Sequence, residues 1–147
     1  MKILILEDIY STIDQLKTMF DEKKWLYDVA SKVATARDLC NKNKYDCYII
    51  DLIVIPVGLT IEEFNSYGPY YGWAWFHNYI LKRNIEKSSI LRKQAIIFSA
   101  YSKTFKEKFR FEADGVFIID KKEENAEEKL LKKIEEILKM NDRDGNK

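Results

Sequence analysis

Five short apolar runs punctuate the chain. The first, Ile3-Leu-Ile-Leu, is continuous rather than alternating, the pattern of a strand buried on both faces. "LYDVAS" at 26–31, "DCYIID" at 46–51, "AIIFSA" at 95–100 and "GVFIID" at 115–120 read as four more strands. Segments of helical period separate them. In "EDIYSTIDQLKTMFDEKK" the residues Ile9, Ile13, Leu16 and Phe20 recur every three or four places, with Ser11 or Thr12 placed to cap. "TARDLCNKNK" predicts a helix with Thr35 as N-cap and with Ala36, Leu39 and Cys40 on one side. "SKTFKEKFRFEA" has helical spacing but little apolar content. "NAEEKLLKKIEEILKM" is the clearest helix, its stripe made of Ala126, Leu130, Ile134, Ile137 and Leu138, with Glu/Lys pairs on the other face. The terminal "NDRDGNK" reads as a polar tail.

Short buried strands alternating with helices predict one α/β domain, a doubly wound parallel sheet covered on both faces. In such sheets ligands sit outside the carboxyl ends of the strands. Glu7 and Asp8 follow the first strand, Asp51 ends the third, Ser99 ends the fourth, and Asp120, Lys121 and Lys122 close the fifth. Taken singly, an acidic residue after a strand is most often a turn or a cap. Taken together, three carboxylates, a hydroxyl and an ammonium on one rim make a site. Clustered carboxylates raise one another's pKa unless a cation stands among them. Oxygen ligands without His or thiolate favour a hard ion, here Mg²⁺. Lysine supplies a point charge for a phosphate oxygen, Ser99 a hydroxyl donor, and an Asp carboxylate is a competent nucleophile toward phosphorus. Metal and lysine would then stabilise a transferring phosphoryl group by charge already in place.

Composition narrows the classes. The chain has 147 residues, 46% apolar and 33% charged, which suits one globular domain with a real core. Lys plus Arg is 25 against 24 for Asp plus Glu, so the balance argues against direct nucleic-acid binding. The densest basic stretch, "KTFKEKFR", reads as a solvated helix face. Cys40 and Cys47, the two cysteines, make neither a disulfide framework nor a metal spacing and read as small buried hydrophobes. His77 is the single histidine, so a His-based zinc cluster is not expected. The run ending at Glu7 is too short for a signal peptide or a membrane span, which predicts a cytoplasmic protein without membrane insertion.

"KILILEDI", "YIIDL", "IIFSA" and the Asp120-Lys121 step resemble the receiver domain of bacterial response regulators, the CheY-like family of two-component signalling. The resemblance covers nearly the whole chain and implies a flavodoxin-like five-stranded sheet in the order 2-1-3-4-5. By position it implies Asp51 as phosphoacceptor, with Glu7, Asp8, Asp51 and the backbone carbonyl of Ile53 holding Mg²⁺. Ser99 matches the hydroxyl that reorients upon phosphorylation, and Lys121 the family's lysine. A sensor histidine kinase or a phosphotransfer protein would be the donor, and a separate protein the downstream target. Residues 1–140 are expected to form the domain and 141–147 the tail, a stand-alone receiver acting by protein contact. It would be a phosphoacceptor rather than an enzyme, with self-catalysed phosphoryl transfer and autodephosphorylation. One alternative is a pseudo-receiver, a constitutive interaction module that keeps the pocket for structure. Another, a hydrolase of the haloacid-dehalogenase type, lacks its second Asp, since Ile53 stands there.

The middle of the chain departs from the family. Asp51 and Ser99 are markedly further apart than usual, and "VGLTIEEFNSYGPYY" intervenes before "GWAWFHNYILKR" resumes a helical pattern. This insertion, about 57–71, carries Tyr67, Tyr70 and Tyr71, which read either as an interface or, with Trp73 and Phe76, as packing on the sheet. Lys122 replaces the usual Pro after the lysine, so the cis bend there is not expected. Ile118 stands where the family has a switching aromatic, and Phe117 should face the other side of its strand.

Overall fold

Alternation within each strand divides the core in two. Ile3, Ile5, Cys47, Ile49, Ile96 and Phe98 face one side of the sheet, while Leu4, Leu6, Tyr48, Ile50, Ala95 and Ile97 face the other. The three central strands are buried on both faces and so read as unbroken apolar runs in the sequence, and two half-buried strands flank them. The strands are β1 (Lys2–Leu6), β2 (Leu26–Ala30), β3 (Cys47–Ile50), β4 (Ala95–Ser99) and β5 (Phe117–Asp120), all parallel, in the order β2-β1-β3-β4-β5. The computed structural model describes residues 1–145, with side chains described as far as residue 142. Among them, no helix is long and apolar enough to cross a membrane.

One face is covered by α1 (Tyr10–Glu22) and α7 (Ala126–Gly145). Leu16 and Phe20 of α1 are buried there beside Ala126, Leu130, Ile134, Ile137 and Leu138, the whole predicted stripe. Each such Leu or Ile contributes about 1.5–3 kcal/mol relative to exposure. The helix runs through Gly145, past the Met140 limit expected from sequence. Asn141 explains the continuation: its side chain accepts from Gln94 Nε2 at 3.0 Å and donates to the Asp46 carbonyl at 2.8 Å. Residues 146 and 147 of the tail lie outside the described residues.

Two helix starts differ from the expected ones. The N-cap of α1 is Ile9, exposed and without a side-chain cap, so Ser11 and Thr12 lie inside the first turn and Ile9 leaves the buried stripe. Helix α2 (Val33–Lys42) begins before Thr35, which does not cap it. Its free N–H groups are satisfied from a distance: Val33 donates to the Ile55 carbonyl at 3.2 Å and Ala34 to the Val57 carbonyl at 2.7 Å. Gly58 has φ +111°, and a Cβ there would meet the Ala34 backbone at 2.7 Å, so this close seat requires glycine.

The opposite face is covered by α2, α6 (Ser102–Phe109) and the long β3–β4 connection. That connection is ordered along its length. Helix α3 (Ile61–Tyr67) opens on a reciprocal box, in which Thr60 Oγ1 accepts from the Glu63 N–H and Glu63 accepts from the Thr60 N–H. Then α4 (Tyr71–Trp75) passes into a wide π-helical stretch, Phe76–Leu81, and a tight 3₁₀ stretch, Lys82–Lys87, kinked at Asn84, before α5 (Ser88–Lys93). Trp73, Trp75, Phe76, Ile80 and Leu81 are all buried against the sheet. The π-helical stretch buries Phe76, Ile80 and Leu81, whereas the 3₁₀ stretch buries none of its residues.

Candidate functional site

The parallel ladder continues one step beyond the strands and fixes the residues that follow them. Glu7 N–H donates to the Ala30 carbonyl at 3.0 Å, Asp51 N–H to Leu6 at 2.9 Å, and Lys121 N–H to Ser99 at 3.0 Å. The backbones of all three are therefore held at the carboxyl rim of β1, β3 and β5. The β1–β3 pair is where the strand order reverses, the crevice in which open α/β sheets bind ligands.

Carboxylate oxygens of Glu7, Asp8 and Asp51 all lie within 4.8 Å of one another, a donor set of hard oxygens that fits a divalent ion such as Mg²⁺. Glu7 and Asp51 are buried, while Asp8 is partly exposed. Lys121 reaches into the cluster, pairing with Glu7 and standing 3.4 Å from Asp51 Oδ2, with its Nζ over the Phe98 ring. Backbone N–H groups orient the acids. Leu52 donates to Asp51 Oδ1 at 2.8 Å, and Asp8 to Glu7 Oε2 at 3.1 Å. Asp51 thus keeps Oδ2 on the Lys121 side.

Ser99 is fully buried at the end of β4, its Oγ accepting from the Tyr101 N–H at 3.2 Å, so its own proton is free to be donated. Ile53 lies in the loop after Asp51 with its side chain against the core. Asp120 takes the ordinary turn role, accepting from the Lys122 N–H at 2.8 Å. The one cis peptide among the described residues joins Gly68 and Pro69, so the Lys121–Lys122 bond is trans, as Lys122 in place of Pro implies. Ile118 packs on the α6 side, while Phe117 turns to the α7 side under Lys133. Cys47 is buried and Cys40 half-buried, and burial pushes the Cys40 thiol up to about 12. Both are the inert hydrophobes expected from sequence.

Burial, followed by the neighbouring Asp51, pushes the Glu7 carboxyl up to about 8, against the smaller opposing pull of Lys121. Asp8 is also raised, first by burial and then by Asp51. The folded chain therefore holds a proton on Glu7 more tightly than the unfolded chain does. Its contribution is fully present below the ordinary value of 4.5 and is lost as pH rises toward 8. Without divalent cation, the melting temperature should fall across that window, and Glu7→Gln should flatten the fall. A Glu7→Gln profile parallel to wild type would show that Glu7 is not the strained group.

The three tyrosines of the insertion are packed. Tyr70 is buried, edge-on to Phe105 and Phe109, with its hydroxyl 3.0 Å from Thr104 Oγ1. Tyr67 stacks on Phe109, and Tyr71 stacks on Phe64. Trp73 and Phe76 are fully buried on the sheet, Tyr67 and Tyr71 are half-buried, and the exposed apolar groups of residues 57–71 are Val57, Ile61 and Phe64. Sequence reasoning missed Gly72 and Thr104. An ideal Cβ on Gly72 would lie 1.9 Å from the Asp51 carbonyl oxygen, so the start of α4 rests directly on the backbone of the site. A glycine opening an aromatic helix was the available signal.

The chain is similar to solved structures of receiver domains. The receiver domain of Francisella response regulator 1452 matches with TM-score 0.67 and 21% identity, over 95% of this chain and 97% of that one. Chemotaxis protein CheY4 of Vibrio cholerae matches with TM-score 0.64 and 15% identity, over 92% and 97%. The receiver domain of sensor histidine kinase PA1611 from Pseudomonas aeruginosa matches with TM-score 0.59 and 14% identity, over 88% and 92%. The chain has the receiver fold. In this receiver fold the acidic cluster sits at the β1–β3 crevice, and the PA1611 structure has a magnesium ion coordinated in its active-site cleft. No family model matches the sequence, and no curated protein matches it.

Proposed function

We propose that the chain carries a response regulator receiver domain that accepts a phosphoryl group on Asp51. The observation that carries this reading is the meeting of Glu7, Asp8 and Asp51 with the Lys121 ammonium at the carboxyl ends of β1, β3 and β5. Asp51 Oδ2 attacks phosphorus, an acyl phosphate forms, and the bond from phosphorus to the donor's leaving group breaks. With a sensor histidine kinase or phosphotransfer protein as donor, that bond is P–N to an imidazole. Lys121 holds charge against the transferring oxygens, and the Ser99 hydroxyl donates to one of them. Glu7, Asp8, Asp51 and the Ile53 carbonyl would hold Mg²⁺, which supplies Lewis-acid neutralisation of the phosphoryl charge. The transfer and later hydrolysis use this chain's own residues, so the protein is a phosphoacceptor with a self-catalysed step. A cytoplasmic location and a separate protein target follow from this reading.

Titrating Mg²⁺ while following tryptophan fluorescence tests the metal, since Trp73 adjoins Gly72, which packs on Asp51. A saturable change is expected, with affinity lowered roughly tenfold or more in Asp8→Asn plus Asp51→Asn. Adding a small acyl-phosphate donor tests the chemistry, and uptake should require Mg²⁺. Ile118, aliphatic where receivers have a switching aromatic, is the observation favouring a pseudo-receiver. A folded wild type that binds no Mg²⁺ and takes up no phosphoryl group would mean that reading instead.

A further inference from the structure

Two walls of the Asp51 pocket are joined by the start of α4. On one side, Gly72 N–H donates to the Leu52 carbonyl at 3.0 Å, and the Gly72 Cα leaves no room for a side chain against the Asp51 carbonyl. On the other side, the Tyr70 hydroxyl donates to Thr104 Oγ1 at 3.0 Å, and Thr104 Oγ1 donates to the Tyr101 carbonyl at 3.1 Å. Tyr101 N–H in turn donates to Ser99 Oγ at 3.2 Å. Two residues of one segment, Gly72 and Tyr70, therefore touch the phosphoacceptor loop and, through one turn, reach the hydroxyl at the end of β4. On the β5 side, the Ile118 side chain can neither donate nor accept a hydrogen bond.

We propose that Tyr70 is a positioning residue for phosphoryl transfer to Asp51. Through Thr104 and Tyr101 it fixes the place of the Ser99 hydroxyl, while Gly72, two residues on, fixes the backbone of Asp51. The segment around Tyr70 thereby sets the gap between acceptor and hydroxyl donor, and it registers the pocket's occupancy. When Ser99 donates to a phosphoryl oxygen, any shift of the Tyr101–Thr104 turn is delivered to the Tyr70 hydroxyl. The Tyr70 ring passes it on, because it packs on Phe105, which also touches Trp73 at 5.6 Å between ring centres. This inference rests on the reading of Asp51 as phosphoacceptor.

The test uses Tyr70→Phe and Thr104→Val, singly and together. Both keep ring or branch volume, so the packing survives while the Tyr70–Thr104 hydrogen bond is lost, and Thr104→Val also loses the bond to the Tyr101 carbonyl. With Mg²⁺ and acetyl phosphate, each single change should lower the rate at saturating donor by about 3–10-fold, the worth of one hydrogen bond. The half-saturating donor concentration and the Mg²⁺ affinity should stay at wild-type values, and the double variant should be no slower than Thr104→Val alone. With beryllofluoride as acyl-phosphate mimic, wild-type amide shifts should change at Tyr70 and Trp73 as well as at Ser99 to Thr104. In Tyr70→Phe they should be confined to the Ser99 side. Wild-type rates in both single variants, or additive losses in the double, would overturn the inference while leaving the Asp51 reading intact. A wild type that takes up no phosphoryl group would overturn both.

Discussion

Asp51→Asn should take up no detectable phosphoryl group from a small acyl-phosphate donor under conditions where wild type is labelled. The substitution is nearly isosteric and keeps a carbonyl oxygen for the Leu52 N–H, which Asp51 Oδ1 accepts at 2.8 Å. It removes the anionic oxygen beside Lys121, and an amide is no nucleophile toward phosphorus. Loss of labelling should therefore come without loss of fold. Without metal the variant should be at least as stable as wild type near neutral pH, because Asp51 is one of the groups that push the Glu7 carboxyl upward. Lys121→Ala makes the contrast. It removes one preorganised charge, so labelling should slow by at most about 10²–10³-fold and still be measurable. Intact-mass spectrometry over time reads all three proteins. Undiminished mass gain in Asp51→Asn would assign the nucleophile elsewhere.

Trp73→Ala should be among the most destabilising single changes in the chain. Trp73 is fully buried, packs on Phe76, His77 and Phe105, and donates from Nε1 to Glu112 at 2.6 Å. Truncating a buried Trp costs about 3–5 kcal/mol, and at 2–4 °C per kcal/mol the melting temperature should fall by roughly 6–20 °C. The loss also leaves Glu112 without its indole partner. Ile61→Ser, on the exposed face of α3, should stay within about 0.5 kcal/mol of wild type. Thermal unfolding followed by circular dichroism separates the two. A drop of a degree or two for Trp73→Ala would mean that the segment is loosely held, against the packing described above.

The sheet was legible because its three central strands, β1, β3 and β4, are buried on both faces. Ile3–Leu6 and Cys47–Ile50 can be read only as interior, and their alternation assigns each residue to a face. The stripe of α7 was legible for the same reason. Positions at the strand ends were readable once the strands were, which put Glu7, Asp8, Asp51, Ser99 and Lys121 on one rim. What was not legible depends on partners distant in sequence. The start of α2 is set by carbonyls of Ile55 and Val57, which no local propensity announces. The extension of α7 depends on Asn141 meeting Gln94 and Asp46. The link from Tyr70 to Thr104 is likewise tertiary. One local signal was available and passed over: Thr60 and Glu63 carry the spacing of a capping box, which marks the start of α3 inside an apparent loop.

The central claim is that the carboxylate of Asp51 becomes an acyl phosphate. Wild-type protein incubated with Mg²⁺ and acetyl phosphate, then reduced with borohydride and digested, tests it most directly, since reduction converts an aspartyl phosphate to homoserine. The account predicts a single phosphoryl group per chain, labile to hydroxylamine, with the reduced product in the peptide that contains residue 51. A folded, Mg²⁺-bound protein that gains no phosphoryl mass, or one whose reduced residue lies at another position, would contradict it.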